Sequence, residues 1–193
     1  MRSAISEFAN KNGEYRPFSN IERRNTTQGI LEIPLMIRAL QIPTGTRMLE
    51  VGCGIGNALA PLARSCRPKR LVGVDIDQEL LATAAATIRR HRIFAELHHA
   101  DVRELPFADG SFDVVIDFGT CYHIAQPERA VREVARVLTE DGLFIYETRL
   151  NQFLSHPVRS YGRQLPWDAT FELKADRSAV LWGRRKKTVD GKQ

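Results

Sequence analysis

From residue 46 onward, short apolar runs alternate with stretches whose apolar residues recur every three or four positions. The runs at 46–51, 70–75, 93–98, 112–117 and 143–147 have the length of strands. Between the first two, residues 57–65 read as a helix that stops before Pro68. Asp77 is placed to cap a second helix, whose Leu80, Leu81, Ala84, Ala85 and Ile88 share one face. Pro127 starts a third helix, with Ala130, Val131, Val134, Val137 and Leu138 on one side, and Asp141-Gly142 is expected to end it. Strands that alternate with amphipathic helices build a parallel sheet with helices on both faces.

The two ends break this rhythm. Residues 1–24 read as an irregular or partly helical arm with Phe8, Tyr15 and Phe18, and 26–40 as a helix in which Pro34 either starts a new turn or makes a kink. Residues 150–166 have no regular period, and strand-like runs follow at about 169–174 and 178–184. Only Ala175-Asp176-Arg177 separates them, and a turn this short joins antiparallel strands, since a parallel pair needs a crossover. The expected fold is α/β: seven strands, mostly parallel, with helices on both faces and an antiparallel hairpin strand at the C-terminal end.

Composition narrows the class. A chain of 193 residues fits one domain with a sizeable core, and 43% hydrophobic with 26% charged residues is the balance of a globular protein. No apolar run is long enough to span a bilayer, and the polar start of the chain is unlike a signal peptide. Cys53, Cys66 and Cys121 give neither a disulfide framework nor a metal spacing, so a cytoplasmic setting is expected, with no metal. The net charge of +5 comes largely from Arg23-Arg24 and Arg184-Arg185-Lys186-Lys187, which read first as solvated ends.

Candidate chemistry concentrates after the first strand. Leu49-Glu50-Val51 leads into Gly52-Cys53-Gly54-Ile55-Gly56-Asn57, and the second strand ends on Asp75. Glycines allow a sharp turn and close approach of a ligand, the following helix start offers free N–H groups, and a carboxylate at Asp75 can accept from ribose hydroxyls. Asn57 stands where a dinucleotide fingerprint has its third glycine. Glu50 adds a carboxylate inside an apolar strand end, where burial is costly without a donor or cation. Asp101-Val102 follows the third strand, where an adenine amino group could be met.

Four ordered blocks then carry a resemblance: 48–57, 71–77, 100–117 and 135–144. Together they resemble the class I S-adenosylmethionine-dependent methyltransferases, of the small type related to the ubiquinone/menaquinone methyltransferases, over about residues 46–147. That resemblance implies a Rossmann-like, seven-stranded sheet, and S-adenosylmethionine as cofactor with S-adenosylhomocysteine as product. It divides the single domain 1–193 into an N-terminal arm and helix (1–45) serving as a cover, a cofactor-binding core (46–147), and an acceptor-side segment with the terminal hairpin (148–193). By the same resemblance, Glu50, Gly52, Gly54 and Gly56 surround the methionine part of the cofactor. Asp75 holds the ribose, and Ile76 lies against the adenine. Asp101 accepts from the adenine amino group, while the Val102 N–H meets a ring nitrogen. Asp117 and Phe118 line the amino-acid end. Ile76 and Val102 also read as plain core residues, and Asp101 as the cap of its own turn.

The acceptor is less legible. In-line placement of a nucleophile and exclusion of water carry most of the catalysis, and an oxygen or nitrogen acceptor also calls for a base. His123 is the base candidate, with a backbone-bonded loop histidine as the alternative. Tyr15, Tyr122, His156 and Tyr161 are candidates for holding the acceptor, and adjacent His98 and His99 on a strand point to opposite faces. The stretch Asp117-Phe118-Gly119-Thr120 lacks the Pro-Pro signature of base N-methyltransferases, so a small-molecule acceptor is favoured over a nucleic acid, with a monomer or homodimer as the expected state. The competing readings are a non-catalytic protein that binds the cofactor or serves only for interaction, and a nicotinamide-dependent oxidoreductase.

Overall fold

Five runs rich in Val, Ile and Leu form the centre of the computed structural model: β1 (Arg47–Val51), β2 (Arg70–Asp75), β3 (Glu96–His99), β4 (Phe112–Asp117) and β5 (Leu138–Arg149). They pair in parallel in the order β3-β2-β1-β4-β5. The structure describes residues 26, 28–121, 124, 126–149, 172–175 and 180–186, with backbone alone for 148–149 and the last two segments. The N-terminal arm, Tyr15, Tyr122, His123, His156 and Tyr161 lie outside the described residues.

Both faces of the sheet are covered, which is why its central strands are near-continuous apolar runs rather than alternating ones. On one face, α1 (Ile33–Ala39), α2 (Leu59–Cys66) and α3 (Gln78–His91) cover Met48, Leu71, Val114, Ile116 and Ile145. On the other, α4 (Pro127–Val137) lays Ala130, Val131, Val134 and Val137 over Leu49, Val51, Val72, Val115 and Phe144. Met48, Phe112 and Ile116 are completely buried. Each such side chain contributes about 1.5–3 kcal/mol of burial free energy. A π-helical turn, Gln28–Glu32, leads into α1, and Pro34 sits in the first turn of that helix, so it starts a new turn. Asp77 caps α3 as expected: its Oδ1 accepts from the N–H groups of Glu79 (2.9 Å) and Leu80 (3.2 Å).

Two boundaries differ from the sequence pattern. β3 begins at Glu96, not near residue 93. Arg92 ends α3 in a left-handed conformation, and Arg70 grips Glu96 through two hydrogen bonds of 2.9 and 2.7 Å, which fixes the strand start and leaves Phe94 outside. Asp141-Gly142 does not end α4, because the helix stops at Val137 and the buried Leu138 is already extended and paired with Phe112. Asp141, at φ +66°, instead accompanies a register shift within the β4–β5 ladder.

Further along, β7 (Val180–Lys186) runs antiparallel beside β5, and β6 (Glu172–Ala175) antiparallel beside β7. The strand order reverses between β1, which neighbours β2, and β4. In open parallel sheets that reversal opens a crevice at the carboxyl ends of the strands, where ligands bind.

Candidate functional site

The crevice floor is the loop that follows β1. Gly52 has φ +67°, and a Cβ there would lie 1.8 Å from the Thr120 Oγ1, so this glycine lets the β1 and β4 loops touch. The Thr120 hydroxyl donates across the same junction to the Val51 carbonyl (3.3 Å). Gly54 has φ +51°, and a Cβ there would meet nothing within 4 Å. Its missing side chain therefore opens onto free space, while its N–H donates to Asp75 Oδ2 (2.7 Å). Gly56 is buried beside Ala84 of α3, and its N–H donates to the Cys53 carbonyl (2.8 Å). Asp75 also accepts from the Asp77 N–H (2.9 Å), so one carboxylate holds the glycine loop and the start of α3 in register.

Three acids of the expected set gather at the ends of β1, β2 and β4. Glu50 is 3% exposed, and its Oε2 has no hydrogen-bond partner. Burial, and then the charges of Asp75 and Asp117, push its pKa well above the usual carboxylate value. Asp117 is equally buried, but its carboxylate accepts from the N–H groups of Gly119 (2.8 Å), Thr120 and Cys121 (3.1 Å), so it shapes the loop after β4. Burial raises the pKa values of Asp117 and Asp75 too, against the opposing pull of these N–H donors. Three acids with one buried orphan oxygen form an acidic cluster that a cation would satisfy.

The flanking residues are placed as follows. Asp101 accepts from the Arg103 N–H (2.8 Å) and pairs with the Arg103 guanidinium. Burial works against its ionisation, yet Arg103 outweighs this and holds the pKa below the ordinary value. Val102 is buried in the core on the α4 face, Ile76 is half-buried, and its carbonyl accepts from the His99 Nε2–H (2.9 Å). Phe118 is half-buried against the α1–α3 face. His98 turns to Glu96 (3.6 Å) and the Phe107 ring, away from His99. Among the described residues no group of acids, histidines and cysteines is arranged for a metal. Burial raises the thiol pKa values of Cys53 and Cys121, and pushes that of Cys66 up to about 11, so none of them is a thiolate nucleophile at neutral pH.

Sequence reasoning missed a second polar group on the crevice's flank. Gln28, Glu32 and Glu147 are all buried, and the Gln28 Nε2 donates to Glu147 Oε1 (3.4 Å) across 119 residues. Glu147 shares its face of β5 with Ile145, as Glu50 shares its face of β1 with Met48, and both faces look toward α1. Next to Gln28, a Cβ on Gly29 would meet the Asn57 carbonyl of the glycine loop at 3.7 Å. The π-helical turn thus spans from the glycine loop to the end of β5, and such turns recur at functional sites. The available signal was a glutamate within each apolar stretch, at residues 32 and 147.

Comparison with known proteins decides between the two nucleotide readings of the glycine loop. Residues 49–146 match the methyltransferase domain family. The chain belongs to this family. A fatty-acid O-methyltransferase of Mycolicibacterium smegmatis is 37% identical over 103 residues, 53% of this chain and 36% of that protein. A demethylmenaquinone methyltransferase of Lactobacillus johnsonii is 30% identical over 141 residues, 70% of this chain and 54% of that protein. The chain therefore spans about a third to a half of the length of these relatives. A S-adenosylmethionine-dependent methyltransferase from Aquifex aeolicus superposes with a TM-score of 0.76 at 12% identity, covering 91% of this chain and all of that one. The fold is the Rossmann-like methyltransferase fold, and S-adenosylmethionine is the cofactor of the family. This sets aside the nicotinamide reading. The methyltransferase domain suits that cofactor on its own geometry. Glu50 leaves a buried oxygen in want of a cation, and Gly54 leaves space where a side chain would stand.

Proposed function

We propose that this methyltransferase domain transfers a methyl group from S-adenosylmethionine to a small-molecule acceptor by in-line displacement. The orphaned carboxylate oxygen of Glu50 carries the reading, because a buried acid flanked by two more calls for a positively charged ligand. When bound, the cofactor supplies an electrophilic methyl group on a sulfonium. Glu50 then faces the cationic methionine end, with Gly52, Gly54 and Gly56 giving the backbone approach. Asp75 keeps lone pairs for the ribose hydroxyls beside those used on Gly54 and Asp77. Ile76 and the Val102 N–H meet the adenine, and Asp101 its amino group. Asp117 and Phe118 line the amino-acid end. Residues 1–45 cover the site, with Tyr15, Tyr122, His156 and Tyr161 toward the acceptor and His123 as base. The same reading takes β7 and β6 as the closing hairpin of a seven-stranded sheet and places the protein in the cytoplasm, consistent with three free, buried cysteines.

Gln28, Glu32 and Glu147 refine the acceptor. This buried polar cluster favours an acceptor that forms hydrogen bonds, such as a hydroxyl or an amine. Calorimetric titration with S-adenosylmethionine and S-adenosylhomocysteine, followed by turnover on hydroxyl, amine and carboxylate acceptors, tests the proposal. Cofactor binding with turnover on the first two classes is expected. No cofactor binding overturns the reading, and binding without turnover on any acceptor makes the protein a non-catalytic binder.

A further inference from the structure

A second charged surface lies at the opposite edge of the sheet from the glycine loop. The helices α2 and α3 end there, beside the first residues of β1 and β2. Arg64, Arg67, Arg89, Arg90 and Arg92 are all exposed around the two helix ends, and Lys69 is exposed just beyond α2. The Arg64 guanidinium donates to the His91 carbonyl (3.4 Å) and lies 3.3 Å from His91 Nδ1, so the two ends form one surface. Slight burial and the charges of Arg64 and Arg90 hold the His91 imidazole below its usual pKa. The sole acid of α2 and α3 is Glu79, in the first turn of α3 at its far end. The acids at the strand starts, Glu96 and Asp113, each pair at 2.7 Å with an arginine of their own, Arg70 and Arg47. Six further cations thus crowd one corner of a chain whose whole excess is +5.

Helix dipoles favour cations in a last helical turn, but two features exceed that explanation. Arg67 and Arg92 occupy left-handed positions (φ +45° and +52°), where glycine is the unstrained choice. Phe94, two residues past Arg92, is 86% exposed. Among residues with described side chains, Phe94 is the sole exposed aromatic, whereas a single-stranded nucleic acid is tracked by successive aromatics. An exposed aromatic tip rimmed by arginines instead matches the headgroup region of a bilayer.

We propose that the corner formed by Arg64, Arg67, Arg89, Arg90, Arg92 and Phe94 docks the protein on an anionic phospholipid surface. This does not rest on the methyl acceptor. No helix among the described residues is long and apolar enough to cross a membrane, so the contact is peripheral. The full chain is co-sedimented with vesicles of phosphatidylcholine and with vesicles that also contain phosphatidylglycerol. Binding to the anionic vesicles, weakened by salt, is expected. Reversing one charge with Arg90→Glu lowers that binding about tenfold or more. Phe94→Ala lowers it several-fold. Arg132→Glu, the same reversal at an exposed position of α4, leaves it unchanged. All three positions are exposed, and each variant is first checked for a wild-type melting temperature, with Arg89→Gln as a second probe of the corner. Absent binding, equal binding to neutral vesicles, or an equal loss in Arg132→Glu overturns the proposal. So does tighter, Phe94-dependent binding of a single-stranded oligonucleotide, which assigns the corner to nucleic acid.

Discussion

At the scale of single residues, the site is a balance between a glycine that opens space and an acid that waits for charge. Glu50→Gln keeps the shape and removes the titrating carboxyl group. The pKa of Glu50 is raised in the folded protein, so the folded state holds its proton where the unfolded state has lost it. The stabilisation from that proton is complete below the unfolded value of about 4.3 and is lost as pH rises toward the folded value. The cofactor-free variant should therefore gain stability over the wild type as pH rises above that point, by on the order of 1–3 kcal/mol. Thermal melts at pH 5 and pH 8 measure it, and titration should show weaker cofactor binding in the same variant. Gly52→Ala and Gly54→Ala should part company. The first drives a Cβ into Thr120 and costs about 1–3 kcal/mol, relieved in part by Thr120→Gly. The second costs about 1 kcal/mol of backbone strain and, with Gly54 bordering the cofactor as proposed, removes cofactor binding by filling the open space beside it.

At the scale of elements, the features legible in the sequence were those built locally. The three glycines, Asp75 and the Asp77 cap lie within 26 residues, and each does what its residue type favours in place. Asp77→Ala should lower stability by about 1 kcal/mol, read from denaturant unfolding. The apolar run Ile93-Phe94-Ala95 misled, because strand propensity cannot foresee that Arg70 on a neighbouring strand fixes the start of β3 at Glu96. The Gln28–Glu147 bond was equally hidden, since nothing within a short window connects residues 119 apart. Arg136 is a third long-range case. Its guanidinium donates to the Leu105 carbonyl (2.9 Å), the Phe107 carbonyl (2.7 Å), Asp109 and Glu133, tying the loop before β4 to α4. Arg136→Ala should cost about 2–3 kcal/mol, because it strips two half-buried carbonyls and two acids of one donor. Hydrogen exchange should then rise at residues 103–111, which that side chain pins.

At the scale of the whole molecule, the two edges of the sheet carry different chemistry. The edge where β1, β2 and β4 end gathers Glu50, Asp75 and Asp117, and the edge where β1 and β2 begin gathers arginines. If residues 1–24 cover the acid edge, their deletion should abolish turnover while leaving the core's melting temperature within a few degrees; unchanged kinetics would refute that role. The strand order has a consequence in time as well. During synthesis β1, β2 and β3 emerge within residues 47–99 and can pair at once, yet β4, the other neighbour of β1, follows only at residue 112, and β5 later still. Until β4 arrives, the free edge of β1 presents unpaired backbone beside Leu49 and Val51, both wholly buried in the finished fold. A nascent chain that has emerged only to about residue 110 would hold a half-sheet that is sticky along that edge. A translational pause or a chaperone hold would therefore matter most while the emerged chain ends between β3 and β4.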